Sequence, residues 1–235
     1  MATEIEVGVM EYKQLNEEVR DAIADGENDF SLTEVYGQRY IGTALQSPVH
    51  IKIDGTPGND MASFMDGCRI EVFGNAQDQT GNTMNDGEII IHGRCGDATG
   101  YGMRGGAIFV RDSCGWRNGI HMKEYKEKRP VLVVGGDAGS FLGEYMAGGV
   151  ILLLGKPGEY LATGMHGGVI YLANPIAAED VNEQLVQEEL DEYDKEFVAN
   201  MLERYNSYFG TDKSLTENFR RLRPKSSRPY GGMYT

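Results

Sequence analysis

The sequence has few cysteines, prolines and basic residues, and it contains no long apolar run. Its 235 residues include three Cys and seven Pro, and 22 Lys and Arg stand against 36 Asp and Glu, for a formal net charge of −14. This acidity argues against nucleic acid or an anionic membrane as the main partner. No apolar run reaches the roughly 18 residues of a membrane span and no signal-peptide pattern opens the chain, so we expect a cytoplasmic protein.

The three cysteines, Cys68, Cys95 and Cys114, are too few and too scattered to ligate an iron–sulfur cluster. They also lack the CxxC and Cys/His spacings of zinc sites. Cys95 and Cys114 occupy equivalent positions in two neighbouring units of an internal repeat. Small residues fill the other equivalent positions, so we interpret both cysteines as small apolar residues. The expected compartment is reducing, which disfavours a disulfide between them.

Glycine is abundant, at 32 residues, and it marks the internal repeat. Marker positions recur at a spacing of 19, with one interval of 24, at Gly55, Gly74, Gly93, Asp112, Gly136, Gly155 and Asn174. Seven residues after each of the first six markers comes an Ala or a Gly, and ten residues after comes a methionine. These methionines are Met65, Met84, Met103, Met122, Met146 and Met165. A fixed period of about 20 residues is typical of a solenoid.

A short apolar stretch precedes each later marker, as in residues 70–72, 89–91 and 108–110. These stretches alternate inward and outward positions as β-strands do, and so short a repeat unit leaves no room for a long helix. We therefore predict an all-β solenoid, a right-handed parallel β-helix of about seven coils over residues 30–174, with the methionines stacked in its interior. A left-handed hexapeptide helix fits less well, because the repeated positions do not follow a period of six.

The segments on either side of the repeat differ from it in character. Residues 1–29 are predicted to cap one end of the solenoid, with Leu15 and Val19 on one face of a short helix. Apolar residues at helical spacing in 175–210 predict a helical extension of one or two helices. The 211–235 tail is basic, and its Pro and Gly residues argue against regular structure there.

Two surface features are predicted to contact partners. Extra residues between Met122 and Pro130 interrupt the repeat without disturbing it on either side. Such an insertion loops outward from a solenoid, where partner contacts are common. The basic tail should bind a negative surface, either of this chain or of a partner. The predicted partner-binding residues are Lys123, Tyr125, Lys126, Arg220, Arg221 and Arg223.

The residues predict no catalytic, cofactor-binding or metal-binding side chain. None of the four histidines pairs by spacing with a serine, cysteine or carboxylate in a known catalytic pattern. They are His50, His92, His121 and His166. Asp78 and Asp97 occupy equivalent repeat positions, where stacked carboxylates can bind calcium or act as acid and base. Trp116 and Ser140 interrupt that column, so we interpret it as a solvated turn.

Several segments of the repeat resemble one known family. Residues 139–149 (GSFLGEYMAGG), 150–155 (VILLLG) and 160–172 (YLATGMHGGVIYL), together with 58–74 (GNDMASFMDGCRIEVFG), are similar to the C-terminal GXGXG domain of the large subunit of glutamate synthase. The resemblance covers about residues 30–174 closely. The same motif family includes one subunit each of formylmethanofuran dehydrogenase and N-methylglutamate synthase. The layout of the chain looks most like the stand-alone version found where glutamate synthase is split into separate polypeptides.

The resemblance implies a right-handed β-helix and a non-catalytic, structural role in glutamate biosynthesis. In that family a glutamine amidotransferase part supplies an N-terminal cysteine nucleophile, and an FMN and iron–sulfur part reduces the iminoglutarate. Here Met1 and Ala2 leave no N-terminal cysteine. We therefore expect no cofactor in this chain, and we expect FMN and the iron–sulfur cluster in partner subunits. The chain would bind both an amidotransferase and a flavin subunit, with a homo-oligomer as a further possibility.

Two alternatives remain open from the sequence. The first is the equivalent β-helix subunit of a formylmethanofuran dehydrogenase or an N-methylglutamate synthase complex, which differs in its partners. The second is a self-sufficient β-helix enzyme that acts on carbohydrate. That enzyme would need a carboxylate cluster on one outer strand face and a groove lined by aromatic residues, and the sequence shows neither clearly.

Overall fold

The structure, a computed structural model, describes residues 2–46 and 48–228. It is a mostly-sheet parallel β-solenoid of about eight turns with two α-helices, which confirms the predicted fold class. The strands are β1 (Thr3–Glu6), β2 (Asp29–Tyr36), β3 (His50–Thr56), β4 (Asp66–Phe73), β5 (Asp86–Ile91), β6 (Ala107–Val110), β7 (Val131–Val134), β8 (Ala147–Leu153), β9 (Gly167–Leu172), β10 (Leu185–Glu189) and β11 (Arg220–Pro224). The helices are α1 (Tyr12–Ala24) and α2 (Glu192–Phe209).

Strands β1 to β9 pair in parallel and in chain order. The register advances by one repeat per turn, so that Ile51 pairs with Ile70, Ile70 with Ile89 and Ile89 with Ile108. Equivalent residues of successive turns therefore stack, and the inward ones form a continuous core. The six methionines belong to this core and are between 0% and 3% exposed.

The side of each turn that lies away from the strands has an unusual backbone. Residues five, seven and nine after a marker adopt the left-handed conformation, as shown by φ values of 60° at Asp60, 61° at Ala62 and 58° at Phe64. The Ala62 amide donates to the carbonyl of Ile41 in the preceding turn, and the Phe64 amide donates to that of Asn82 in the following turn, both at 2.8 Å. This turn side is therefore hydrogen-bonded between coils, as the strand side is.

The small residue seven positions after each marker has a physical cause in this geometry. Gly119 has φ of +69°, and a Cβ placed on it would lie 2.7 Å from Cδ1 of Ile151 in the interior. Gly143 is in the same position against Ile170, at 2.8 Å. Both the left-handed backbone and the crowded interior thus favour a residue with little or no side chain.

The cysteines two residues after their markers also lie in the interior. Cys95 and Cys114 are buried free thiols, and their backbones form an isolated parallel β-bridge between adjacent turns. The neighbouring Cys95 side chain and burial raise the pKa of the Cys114 thiol well above its usual value. The Cys114 thiol therefore stays protonated, and both side chains pack as small apolar groups.

The N-terminal end of the solenoid is closed by a helix and by a strand that the sequence did not predict. Leu15 and Val19 of α1 are buried in the main core. Strand β1 adds one more parallel strand, pairing Ile5 with Leu32 of β2. Neither α1 nor α2 is long and apolar enough to cross a membrane, among the residues that the structure describes.

The C-terminal region corrects two predictions. Residues 175–210 are only partly helical, because β10 and a short 3-10 turn (Ala178–Asp180) precede α2. The tail was expected to lack regular structure, and this is wrong for β11. Strand β11 pairs antiparallel with the open edge of β9, and β10 then pairs with β11. The free edge left by the last parallel strand, which local sequence does not reveal, explains both strands. Pro229 and the residues after it lie outside the described part of the chain.

Helix α2 packs on the outward face of strands β6 to β9 and forms a second core. This core comprises Ala107, Phe109, Val131, Val133, Val150, Leu152, Val169, Tyr171, Leu190, Val198, Met201, Leu202, Tyr205 and Phe219. The hydroxyl of Tyr205 donates to the carbonyl oxygen of Arg111 at 2.7 Å. A Cβ on Gly135 would lie 1.8 Å from that hydroxyl, so the absence of a side chain there lets the helix approach the strands. Asp191 begins the helix with a capping box and Gly210, with φ of 63°, ends it.

Candidate partner surfaces

The predicted partner-binding residues lie in two separate places, and the C-terminal arginines bind this chain's own carboxylates. Arg221 of β11 contacts Asp191 at 2.7 Å, Asp194 at 2.8 Å and Glu188 at 3.1 Å. These carboxylates belong to β10 and to the start of α2. Arg221 therefore fastens the two added strands to the helix that covers the solenoid.

Arg223 and Arg220 are the outer members of the same group. Arg223 binds Glu188 through two hydrogen bonds of 2.8 and 2.9 Å, whereas Arg220 reaches Glu189 at 4.0 Å. Arg223 and then Arg221 lower the pKa of Glu188 from 4.5 to about 2. The tail was expected to bind a negative surface of this chain or of a partner, and in the structure its arginines bind carboxylates of this chain. Contact of these arginines with a partner stays a prediction.

The insertion lies along the outside of the solenoid as a short hairpin. Tyr125 and Lys128 exchange backbone hydrogen bonds of 3.1 Å. The ammonium of Lys128 lies 3.0 Å from carboxylate oxygens of both Asp66 and Asp86, which are three and two turns earlier in the chain. The insertion is thus tied back across the coils. Lys126 remains exposed, with its ammonium 5.3 Å from the centre of the Tyr125 ring.

Exposed and half-buried aromatic rings stack along the turn side of the later coils, a feature that the sequence analysis missed. The Tyr101 and His121 rings meet edge to face at 5.9 Å, and the His121 and Tyr145 rings are stacked at 5.3 Å. A parallel row contains Phe141 and Tyr160, stacked at 4.8 Å. The signal was available, because these residues fall at fixed distances of eight, nine or five from the repeat markers.

Four of these aromatic residues occupy strained positions. The φ values are 55° at His121, 52° at Tyr145, 65° at Phe141 and 58° at Tyr160. The left-handed conformation costs a residue with a side chain about 1 kcal/mol or more, and glycine avoids that cost. Gly102 and Gly164 occur in the same column as His121 and Tyr145, and the column of Phe141 and Tyr160 also holds Asp60, Gln79, Ala98 and Arg117. The fold therefore does not require aromatic residues here, and a cluster of partly exposed aromatic side chains is typical of an interaction surface.

The residues considered for catalysis or calcium binding have other roles in the structure. Oδ1 of Asp78 accepts a hydrogen bond of 2.9 Å from the Asp97 amide, and Oδ1 of Asp97 accepts one of 2.7 Å from the Trp116 amide. These carboxylates thus join successive turns. Within residues 2–46 and 48–228, no group of three or more His, Cys, Asp or Glu is arranged to hold a metal ion.

The outer face of strands β4 and β5 holds one partly buried ionic network. Glu88 binds Arg69 at 2.6 Å and the hydroxyl of Tyr208 at 2.8 Å, and it also contacts Arg204 of α2. His92 lies 2.9 Å from a carboxylate oxygen of Glu71. Because each carboxylate has a cationic or polar partner from a strand or from α2, the network anchors the end of the helix.

A family model described as the GXGXG motif matches residues 29–228. The chain belongs to the GXGXG motif family. This is the family of the glutamate synthase C-terminal domain, which confirms the resemblance seen in the repeat. The matched region of this GXGXG protein includes α2 and β11 as well as the solenoid.

One relative of this GXGXG protein matches along nearly its whole length. An uncharacterized protein of Methanocaldococcus jannaschii is 42% identical, over 96% of this chain and 94% of the relative. The match therefore extends beyond the solenoid to the capping segments at both ends. The name of the relative assigns it no activity.

Proposed function

We propose that this chain is the structural subunit of a glutamate-synthase-like oxidoreductase that forms glutamate from glutamine and 2-oxoglutarate. The chain holds a glutamine amidotransferase subunit and an FMN and iron–sulfur subunit together and contributes no catalytic group. The observation that carries the proposal is the GXGXG match over residues 29–228, since this is the family of the glutamate synthase C-terminal domain.

The geometry supports a scaffold role in two ways. The solenoid has two hydrogen-bonded sides and closed ends, which gives a rigid body with extended lateral surfaces. Helix α2 covers the outward strand face of β6 to β9, while the turn side of the same coils exposes aromatic rings such as Trp116 and Tyr160. A rigid body with an uncovered aromatic surface is suited to holding other subunits in place.

Affinity purification from the organism that encodes the chain tests this proposal. The chain is tagged at its chromosomal locus, captured under mild conditions, and compared with an untagged strain. We expect two further polypeptides, bound FMN with iron–sulfur absorption, and formation of glutamate from glutamine and 2-oxoglutarate when a low-potential reductant is supplied. The isolated recombinant chain should show neither the absorption nor the activity.

Other outcomes would overturn the proposal. Capture of a molybdenum or tungsten formyl dehydrogenase, or of an N-methylglutamate-forming complex, would assign the chain to another GXGXG assembly. Hydrolysis or elimination of a polysaccharide by the isolated chain would establish a self-sufficient enzyme, and the carboxylates of Asp78 and Asp97 would then be the first residues to replace.

A further inference from the structure

Two cations lie side by side on adjacent coils, where the turn side leads into the next strand. Arg104 and Lys123 are both eleven residues after their markers, Gly93 and Asp112. The Lys123 amide donates to the carbonyl of Met103 at 3.0 Å, which places Lys123 directly beside Arg104 in the next turn. Backbones stacked in this way are about 5 Å apart, and like charges in directly opposite positions destabilise a fold.

Within the described part of the chain, neither of these two cations forms an ion pair. Although the sequence has 36 acidic residues, none of those that the structure describes lies within 4.0 Å of the charged atoms of Arg104, Lys123 or Lys126. The next arginine on this side, Arg117, is paired with Glu144 at 2.5 Å. An anionic group from another molecule would therefore find uncompensated positive charge here.

Aromatic residues lie within three positions of these cations along the chain. Tyr101 is 40% exposed and contacts the ring of His121, which is itself exposed, and Tyr125 is 49% exposed beside Lys126. Aromatic and arginine side chains are the residues enriched at the centres of protein interfaces. The set of Tyr101, Arg104, His121, Lys123, Tyr125 and Lys126 is called the aromatic–basic strip below.

We propose that the aromatic–basic strip is the docking surface for an acidic face of a partner subunit. This inference rests on the proposed function, because it names the chemistry of one of the subunits that the scaffold holds. The chain carries a net charge of −14, so an acidic partner is repelled by most of its surface and attracted at this strip. Charge complementarity would therefore set the orientation of the partner, while the exposed rings add contact area.

The test removes the adjacent charges without adding new ones. The double variant Arg104→Gln/Lys123→Gln is compared with Lys52→Gln/Lys156→Gln, which makes the same change of net charge at two exposed positions outside the strip. Each tagged chain replaces the native one in its host. The amount of each subunit recovered, and the salt concentration that releases it, are measured by quantitative mass spectrometry. Thermal unfolding and sedimentation of each isolated recombinant chain are measured in parallel.

We expect the strip variant to retain at least tenfold less of one partner subunit than the control variant, and to lose it at lower salt. Its melting temperature should equal or exceed that of the native chain, because a repulsive pair has been removed. Weaker binding without a loss of stability distinguishes a docking role from a structural one. A third variant, Tyr101→Ala, should also weaken capture but should change the salt dependence little.

Three results would overturn the inference. If the native chain and the strip variant capture the same subunits equally well, the scaffold role stands and the strip is not the docking surface. If the native chain captures no subunit, the proposed function is wrong, and there is no partner subunit for the strip to bind. If the strip variant changes the sedimentation of the isolated chain from oligomer to monomer, the occupant is a second copy of this chain and not an acidic partner subunit.

Discussion

The hydroxyl of Tyr171, on the last parallel strand of the solenoid, donates a 2.6 Å hydrogen bond to Oδ1 of Asp194 in the first turn of α2. Asp194 is only 5% exposed, and its other oxygen accepts from Arg221 and from the Asp191 amide. Burial and then Asp194 raise the pKa of Tyr171, so the hydroxyl keeps its proton. One carboxylate thus joins the solenoid, the helix and the last strand.

Replacement of Asp194 by alanine should therefore destabilise the C-terminal half of the protein. The change removes half of a capping box, leaves the Tyr171 hydroxyl without its acceptor and removes one of the three carboxylates that Arg221 contacts, at a cost of about 3 kcal/mol. Tyr171→Phe should cost less, about 1.5 kcal/mol. Urea unfolding followed by circular dichroism measures both. Glu192→Gln is the control, since its pair with Lys195 is exposed; equal costs for the control and Asp194→Ala would refute the central role of Asp194.

Replacement of Met103 by aspartate should abolish folding. Met103 is fully buried in the main core, between Met84 and Met122 of the neighbouring turns, and an unpaired charge there has no solvation. Met103→Leu conserves volume and should cost less than about 1.5 kcal/mol. Soluble expression and the cooperativity of thermal unfolding report the difference. A soluble Met103→Asp variant with a sharp transition would contradict the interior placement of this side chain.

Two glycines at equivalent turn positions should respond differently to alanine. Gly100 and Gly119 have φ of +71° and +69°, but a Cβ on Gly100 meets no atom closer than 3.8 Å. Gly100→Ala should thus cost about 1 kcal/mol of backbone strain, and Gly119→Ala about 2–3 kcal/mol because it also meets Ile151.

Adding Ile151→Val to Gly119→Ala provides the matching control. Valine lacks the Cδ1 atom that lies 2.7 Å from the added Cβ. The double variant should therefore be more stable than the sum of the two single changes predicts, by denaturant unfolding. Strict additivity would show that only the backbone conformation, and not the contact, selects glycine at this position.

The depressed pKa of Glu188 provides a pH-dependent test of the C-terminal strands. Because Arg223 and Arg221 lower it from 4.5 to about 2, the ion pairs contribute fully above pH 4.5 and are lost as the pH falls toward 2. NMR titration of the Glu188 carboxyl carbon should show that the pKa of Glu188 rises toward 4.5 in the Arg223→Ala variant. Lys225→Ala, on the same segment but not paired with Glu188, should leave the titration unchanged. No rise in Arg223→Ala would mean that Arg221 alone holds the carboxylate.

The strands show which parts of the fold could be predicted from residue patterns. Strand β4 alternates strictly, as Ile70, Glu71 and Val72, and one of its faces is polar. Strands β6 to β9 are apolar on both faces, as in residues 151–153, and the structure buries both faces because α2 covers the outer one. A continuous apolar run predicts burial on two sides, so the docking of α2 could have been predicted from these strands.

The constant period of the repeat by itself determined the solenoid and the stacking of its columns. Regular spacing allows equivalent side chains of successive coils to stack, and buried methionines and turn glycines then follow from local geometry. Tertiary structure decided what lies at the ends and on the faces. Strands β10 and β11 form because β9 leaves an unpaired edge, and Arg221 turns inward because Asp194 is brought beside it. The juxtaposition of Arg104 and Lys123 likewise exists only between coils, since these residues are far apart along the chain and adjacent in space.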